Sequence, residues 1–165
     1  MIHVMNDSPR VGLSFLVSQV GAHAARRFAV RLEPLALKPV HAGVLRLLHA
    51  GEPFTQRALA ERLGVLPSQL VALLDDLEAR GLVIRAPDPS DRRSRRLVLT
   101  ARGGAAHEEV ERVTAELELE LFAALAEGER EVLRGLLVRL AADAALTAGV
   151  HPGFRELAHT QAREE

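Results

Sequence analysis

Cysteine, tryptophan and tyrosine are absent from this chain, and five phenylalanines make up its whole aromatic complement. Without cysteine there is no disulfide, no thiolate metal site and no thiol nucleophile or redox sensor. With 3% aromatic residues among 48% hydrophobic ones, any core must be aliphatic. Charge of one sign is missing as well: 21 basic residues face 22 acidic ones across 165 residues, a formal net charge of -1. That balance speaks against a protein coated with nucleic acid but leaves room for a local basic patch. No apolar run is long enough to span a bilayer. The first residues, "MIHVMNDSPR", have neither the basic nor the apolar region of a secretory leader. A cytoplasmic location is expected. Glycine-rich phosphate loops, serine elbows and metal-ligand clusters are missing too, so neither an enzyme nor a cofactor is expected.

What is present is helical periodicity. Leu13, Leu16, Val17, Val20, Ala24 and Phe28 form a stripe of one helix face. "EPLALKP" interrupts it, and Pro39 suits the first position of a second helix, with the stripe Val40, Val44, Leu47 and Leu48 closed by Gly51 and Pro53. In "FTQRALAERLG", Thr55 is placed to cap and Gly64 to stop a short helix. "PSQLVALLDDLEARG" follows after a tight turn, with Pro67 in its first turn and Leu70, Leu73, Leu74 and Leu77 on one side. Two short helices joined in this way read as a helix-turn-helix.

Two β-rich runs, "LVIR" (82–85) and "RLVLT" (96–100), flank a tip containing two prolines and a serine–aspartate pair, which reads as a protruding hairpin. From Arg85 to Arg102 six arginines stand against Asp88 and Asp91, a local net charge of +4. Thr100 caps a long helix through Ala106, Val110, Val113, Leu117 and Leu121; "AEGER" breaks it, and a last helix runs through Val132, Leu133, Leu136, Leu137 and Leu140. A 25-residue span would make the long helix about 37 Å, more than a small domain needs. The tail from Gly149 is expected to fray.

The passage "LEARGLVIR" leading into "DPSDRRSRRLVLTARG", with "EGEREVLRGLLVRLAADA" as the closing helix, resembles the multiple antibiotic resistance regulator (MarR) family. The resemblance covers roughly Leu13 to Ala145, and the Asp-Arg-Arg wing followed by Leu-Thr-x-x-Gly carries it. It implies a mainly α (α+β) fold: a winged helix-turn-helix with a two-stranded wing, flanked by N- and C-terminal dimerisation helices. Residues 1–36 and 104–148 would form the dimerisation part, 37–103 the DNA-binding part and 149–165 the tail. The implied function is a homodimeric transcriptional regulator, usually a repressor, that binds double-stranded DNA at a pseudo-palindromic site. Small, often phenolic, anions commonly release such proteins.

On that reading Ser68, Gln69, Val71 and Ala72 face the bases, with Gln69 suited to adenine and Val71 to a thymine methyl. Thr55, Gln56 and Arg57 would anchor phosphates. Arg92, Arg93 and Arg95 of the wing suit the narrow, negative minor groove, and Asp91 would orient a neighbouring arginine. Two features depart from the family pattern. Leu66 stands where a capping serine or threonine is common, and is expected to pack as a hydrophobic anchor. Ala72 replaces a common arginine, with Asp75 and Asp76 beyond it, read as a solvated face or as partners for Arg80 and nearby arginines. Ser14, Gln19, His23 and His41 lie where the family's effector pocket usually falls, although structural or exposed histidine is the plainer reading of the last two. "HEEVE" from His107 lacks the second histidine of a zinc helix and reads as a charged helix face, so no metal is expected. The competing reading is a winged-helix module that binds protein rather than specific DNA, favoured by Asp75 and Asp76 and opposed by the wing arginines.

Overall fold

The computed structural model describes residues 11–51, 53–88, 94–147, 149–151 and 153–154. The chain runs through α1 (Leu13–Leu32), a single 3-10 turn (Glu33–Leu35), α2 (Pro39–His49), β1 (Phe54–Thr55), α3 (Gln56–Leu63) and α4 (Pro67–Ala79). It continues with β2 (Val83–Pro87), β3 (Arg95–Leu99), α5 (Ala101–Leu121) and α6 (Glu127–Asp143). Winged-helix architecture follows from this order: three helices, α2 to α4, packed on a small antiparallel sheet, with long helices on either side in sequence.

The local chemistry explains the element boundaries. Pro39 and Pro67 open α2 and α4, where a missing N–H costs nothing. Thr55 Oγ1 accepts from the Ala58 N–H at 3.2 Å and Thr100 Oγ1 from the Gly103 N–H at 2.9 Å, so both threonines cap as their positions suggest. Gly64, with φ of 67°, makes the left-handed turn that separates α3 from α4.

A third strand joins the expected hairpin. The sheet order is β1-β3-β2, with Phe54 opposite Leu97 and Thr55 opposite Arg96. Two residues cannot display an alternating pattern, so β1 has no sequence signature; burial of Phe54 beside Leu97 holds it. The long helix is also shorter than expected. α5 has 21 residues, about 31 Å at 1.5 Å per residue. The break lies at 122–126, ahead of "GER": the Glu129 carboxylate accepts from the Ala126 N–H at 2.8 Å and places Gly128 inside the first turn of α6.

The core lies within the winged helix. Val44, Leu45, Leu59, Leu70, Leu74, Leu77 and Val83 are fully buried, joined by Leu32 from the end of α1. Each such side chain contributes about 1.5–3 kcal/mol of transfer free energy. The outer helices behave differently. Leu13 is 81% exposed, Phe15, Val17 and Val20 are exposed with it, and α6 buries nothing while presenting Val132, Leu136, Leu137 and Leu140. The tail departs from expectation at one point: Phe154 is 0% exposed and packs on α2 at Gly43, so the described part of the tail is docked rather than frayed.

Candidate nucleic-acid interface

The N-terminal turn of α4 carries the expected base-reading residues. Ser68 and Ala72 are exposed, and Gln69 and Val71 half-buried. Leu66 does not pack as an anchor; at 51% exposure it stands on the outer face beside Ser68. Its hydrocarbon side chain has no acceptor, and the helix end is satisfied from the other side, the Leu66 N–H donating to Gln69 Oε1 at 3.1 Å. The Gln69 side chain is therefore partly committed to capping its own helix.

Thr55, Gln56 and Arg57 sit together at the start of α3, where partial positive charge from free N–H groups favours an anion. Arg57 is fully exposed and pairs with Glu61 at 2.9 Å, one turn along the helix. Sequence reasoning missed a neighbour: Arg96, on β3 directly opposite Thr55, whose Nε is buried with no hydrogen-bond partner among the described residues. Only the β1–β3 register reveals that proximity. Arg95 is exposed and its Nη1 donates to the Arg85 carbonyl at 3.3 Å, bracing the two wing strands. Asp91, Arg92 and Arg93 lie outside the described residues.

The acidic pair of α4 is neutralised internally. Asp75 receives the Arg85 guanidinium at 2.6 Å, and the same arginine pairs with Glu78, clamping β2 to α4. Arg80 Nε lies 3.0 Å from Asp76 as an ion pair, and this guanidinium holds that carboxyl below the usual range. His41 approaches Asp76 from α2 at 3.2 Å. These carboxylates brace the sheet and α2 instead of forming a free acidic face.

The four residues expected around an effector are not brought together. Gln19 and His23 line an open cleft of about 670 Å³ with Arg26, Arg27 and Glu120. Ser14 is simply exposed on α1. His41 is 3% exposed and points away, Nδ1 accepting from the Lys38 N–H at 3.1 Å and Nε2 facing Asp76. A second cavity of about 450 Å³ has a more apolar lining, between Ala24 and Phe28 of α1, Ala42 and Arg46 of α2, and Glu111, Thr114 and Leu117 of α5.

A comparison with known proteins decides what this arrangement is. The sequence profile of the MarR family matches residues 37–94. The transcriptional repressor CouR, solved bound to a 23-mer DNA duplex, is 34% identical, covering 79% of this chain and 92% of CouR at a TM-score of 0.70. This chain belongs to the MarR family. Wild-type E. coli MarR in its apo form is 28% identical, over 81% of this chain and 98% of its own, at a TM-score of 0.69. A MarR family protein of Mycobacterium tuberculosis, solved with p-aminosalicylic acid, is 27% identical over 79% of this chain and 99% of its own, at a TM-score of 0.64. Among the described residues no helix is long and apolar enough to cross a membrane.

Within this MarR-family fold two buried imidazoles set a pH dependence. His107 does not lie on a charged face; it turns inward at 6% exposure and stacks on His49 at 4.1 Å, while Glu108, Glu109 and Glu111 face solvent. Burial first, then the neighbouring His49 and Arg46, push its pKa down against the pull of Glu111 and Glu108. Burial likewise pushes His41 down, against the attraction of Asp76. Both groups bind protons more weakly folded than unfolded, so folding stability is complete above the unfolded value of about 6.5 and falls as pH drops below it. Urea midpoints measured from pH 8 to 5.5 are expected to decline below about 6.5. The His107→Phe variant, which keeps a stacked ring and removes the titrating site, should decline less. A wild-type midpoint flat across that range would show that neither imidazole is held neutral by the fold.

Proposed function

We propose that this MarR-family chain works as a homodimeric repressor that binds a pseudo-palindromic DNA site and is released by a small aromatic acid. One observation carries the reading: the exposed N-terminal turn of α4 follows the Thr55–Arg57 anchor in the chain and precedes an arginine-rich hairpin sequence, while the carboxylates farther along α4 are occupied by Arg85, Arg80 and His41. The positive charge of this face is left for DNA. Ser68, Gln69, Val71 and Ala72 would meet base edges, with Leu66 added as an apolar contact suited to a thymine methyl. Thr55, Gln56, Arg57 and Arg96 would hold phosphates; Arg92, Arg93 and Arg95 would enter the minor groove, with Asp91 orienting them.

The exposed apolar residues of α1 and α6 support a dimer. Leu13, Phe15, Val17 and Val20 on one helix, and Val132, Leu136 and Leu140 on the other, form apolar surface that a second copy would bury. A two-fold axis then sets the recognition helices about one DNA turn, ~34 Å, apart. The cavity between α1, α2 and α5 is the site favoured for the effector, since Arg46 offers a cation beside an apolar wall, and a relative was solved with p-aminosalicylic acid. No catalytic chemistry is part of this reading, and the cytoplasm is its place of action.

The test is fluorescence anisotropy of the purified dimer on labelled DNA from upstream of its own gene, titrated with salicylate. Sequence-selective binding, steeply weakened by salt and reversed by the acid, is the expected outcome. Affinity equal to that for random DNA would remove the repressor reading and favour a protein-binding module.

A further inference from the structure

The cavity between α1, α2 and α5 is closed on one side by the chain itself. After α6 the backbone turns at Gly149, whose φ is 75°, and Val150 and His151 become part of the cavity wall. Two contacts hold this segment. The Arg46 guanidinium donates to the Gly149 carbonyl. Phe154 lies at 0% exposure on α2 at Gly43, so closely that a Cβ at position 43 would fall 2.7 Å from its ring. A local turn shapes the segment between them, Gly153 N–H donating to His151 Nδ1 at 3.0 Å and Phe154 N–H to the His151 carbonyl at 3.1 Å.

This wall occupies the position that an aromatic ligand needs. The rings of Phe28 and His151 are 6.0 Å apart, centroid to centroid, and tilted by 34°. A flat ring between them needs two van der Waals spacings, roughly 7 Å in total. It can stack on Phe28 only if His151 withdraws. Its carboxylate would seek the guanidinium of Arg46, on the α2 side of the cavity, which is opposed in sign by Glu111 on α5 and engaged by the Gly149 carbonyl. Ligand charge and ligand ring therefore compete with the same short segment, at Gly149 and at His151.

We infer that Gly149, Val150, His151 and Phe154 form an intramolecular plug of the effector cavity, and that a small aromatic carboxylate binds by displacing it. This rests on the effector reading above and adds its mechanism. The plug reduces apparent ligand affinity by the fraction of molecules in which it is out. It also makes ligand entry a release of α2, which carries Gly43 and Arg46 on one side and His41, the partner of Asp76 on α4, on another.

Two arms of one experiment test it on the dimer. Calorimetric titration with salicylate compares the full chain with a chain ending at Thr147, which retains all of α6. The shortened chain is expected to bind at least tenfold more tightly; equal or weaker binding overturns displacement. The second arm needs no ligand affinity. Because the chain has no cysteine, Val150→Cys places a single thiol in the cavity wall, and its reaction with Ellman's reagent reports the plug. Slow reaction is expected, accelerated at least tenfold by Gly43→Ala, whose methyl group pushes Phe154 out. Saturating salicylate should accelerate it similarly. Reaction at the rate of an unfolded peptide, unaffected by Gly43→Ala, overturns the plug. Failure of both chains to bind salicylate while the thiol stays protected sinks the effector reading, and displacement with it, but leaves the plug established.

Discussion

Replacing Gly103 with alanine is expected to cost about 3 kcal/mol or more of folding stability, while the same change one residue later, at Gly104, is expected to gain about 0.5–1 kcal/mol. Both glycines lie in the first turn of α5, so helix propensity alone would favour alanine at each. Their surroundings differ. A Cβ on Gly103 would fall 1.9 Å from the Leu82 carbonyl oxygen and 3.2 Å from Leu99 Cδ2, whereas nothing lies within 4 Å of one on Gly104. Leu82 cannot retreat. Its N–H is bonded to the Leu77 carbonyl at 2.9 Å, its carbonyl accepts the Thr100 N–H at 3.1 Å, and the next residue pairs with Leu99. The clash is therefore with pinned backbone, and relief requires α5 to shift off the base of the wing. Urea denaturation of the two variants, compared with wild type, checks this. Equal effects at both positions would mean that α5 and the wing do not meet closely.

The largest functional effect belongs to Arg92→Ala combined with Arg93→Ala. In the proposed dimer–DNA complex this removes four guanidinium groups from DNA, and at roughly 1 kcal/mol each the loss is expected to approach a thousandfold in operator affinity. The salt dependence should change in step. The slope of log K against log salt is expected to become shallower by about 3 to 4, because each phosphate neutralised contributes about 0.9. Anisotropy titrations from 50 to 300 mM salt measure both quantities. A large loss of affinity with an unchanged slope would assign these arginines a folding role instead. A smaller effect is expected from Arg57→Ala, because Glu61 already competes for that guanidinium.

Features written in a few adjacent residues were legible in the sequence. The Thr55 and Thr100 caps, the proline starts of α2 and α4, and the glycine turn at 64 each depend on one residue and its immediate neighbours. What escaped depends on pairs far apart in the chain. His41 meets Asp76 from a different helix, Arg96 meets Thr55 through the β1–β3 register, and Phe154 reaches Gly43 across more than a hundred residues. Periodicity also misled in one respect. The stripes of α1 and α6 are real, yet they do not fill this chain's own core; the same pattern serves a core or a surface awaiting a partner. The histidine in "HEEVE" was misplaced because three glutamates dominate the local composition, while burial is set by the face that α5 turns toward α2.

The two halves of α4 have different obligations. Leu70, Leu73, Leu74 and Leu77 fill the core, and Asp75, Asp76 and Glu78 tie the helix to β2 and α2. Leu66, Ser68 and Ala72 hold nothing inside the protein; their side chains face outward. On the proposed reading, operator preference is free to drift at one end of a helix whose other end is fixed. Descendants of such a gene can acquire new promoters by changing a few outward residues, long before anything in their architecture has to change.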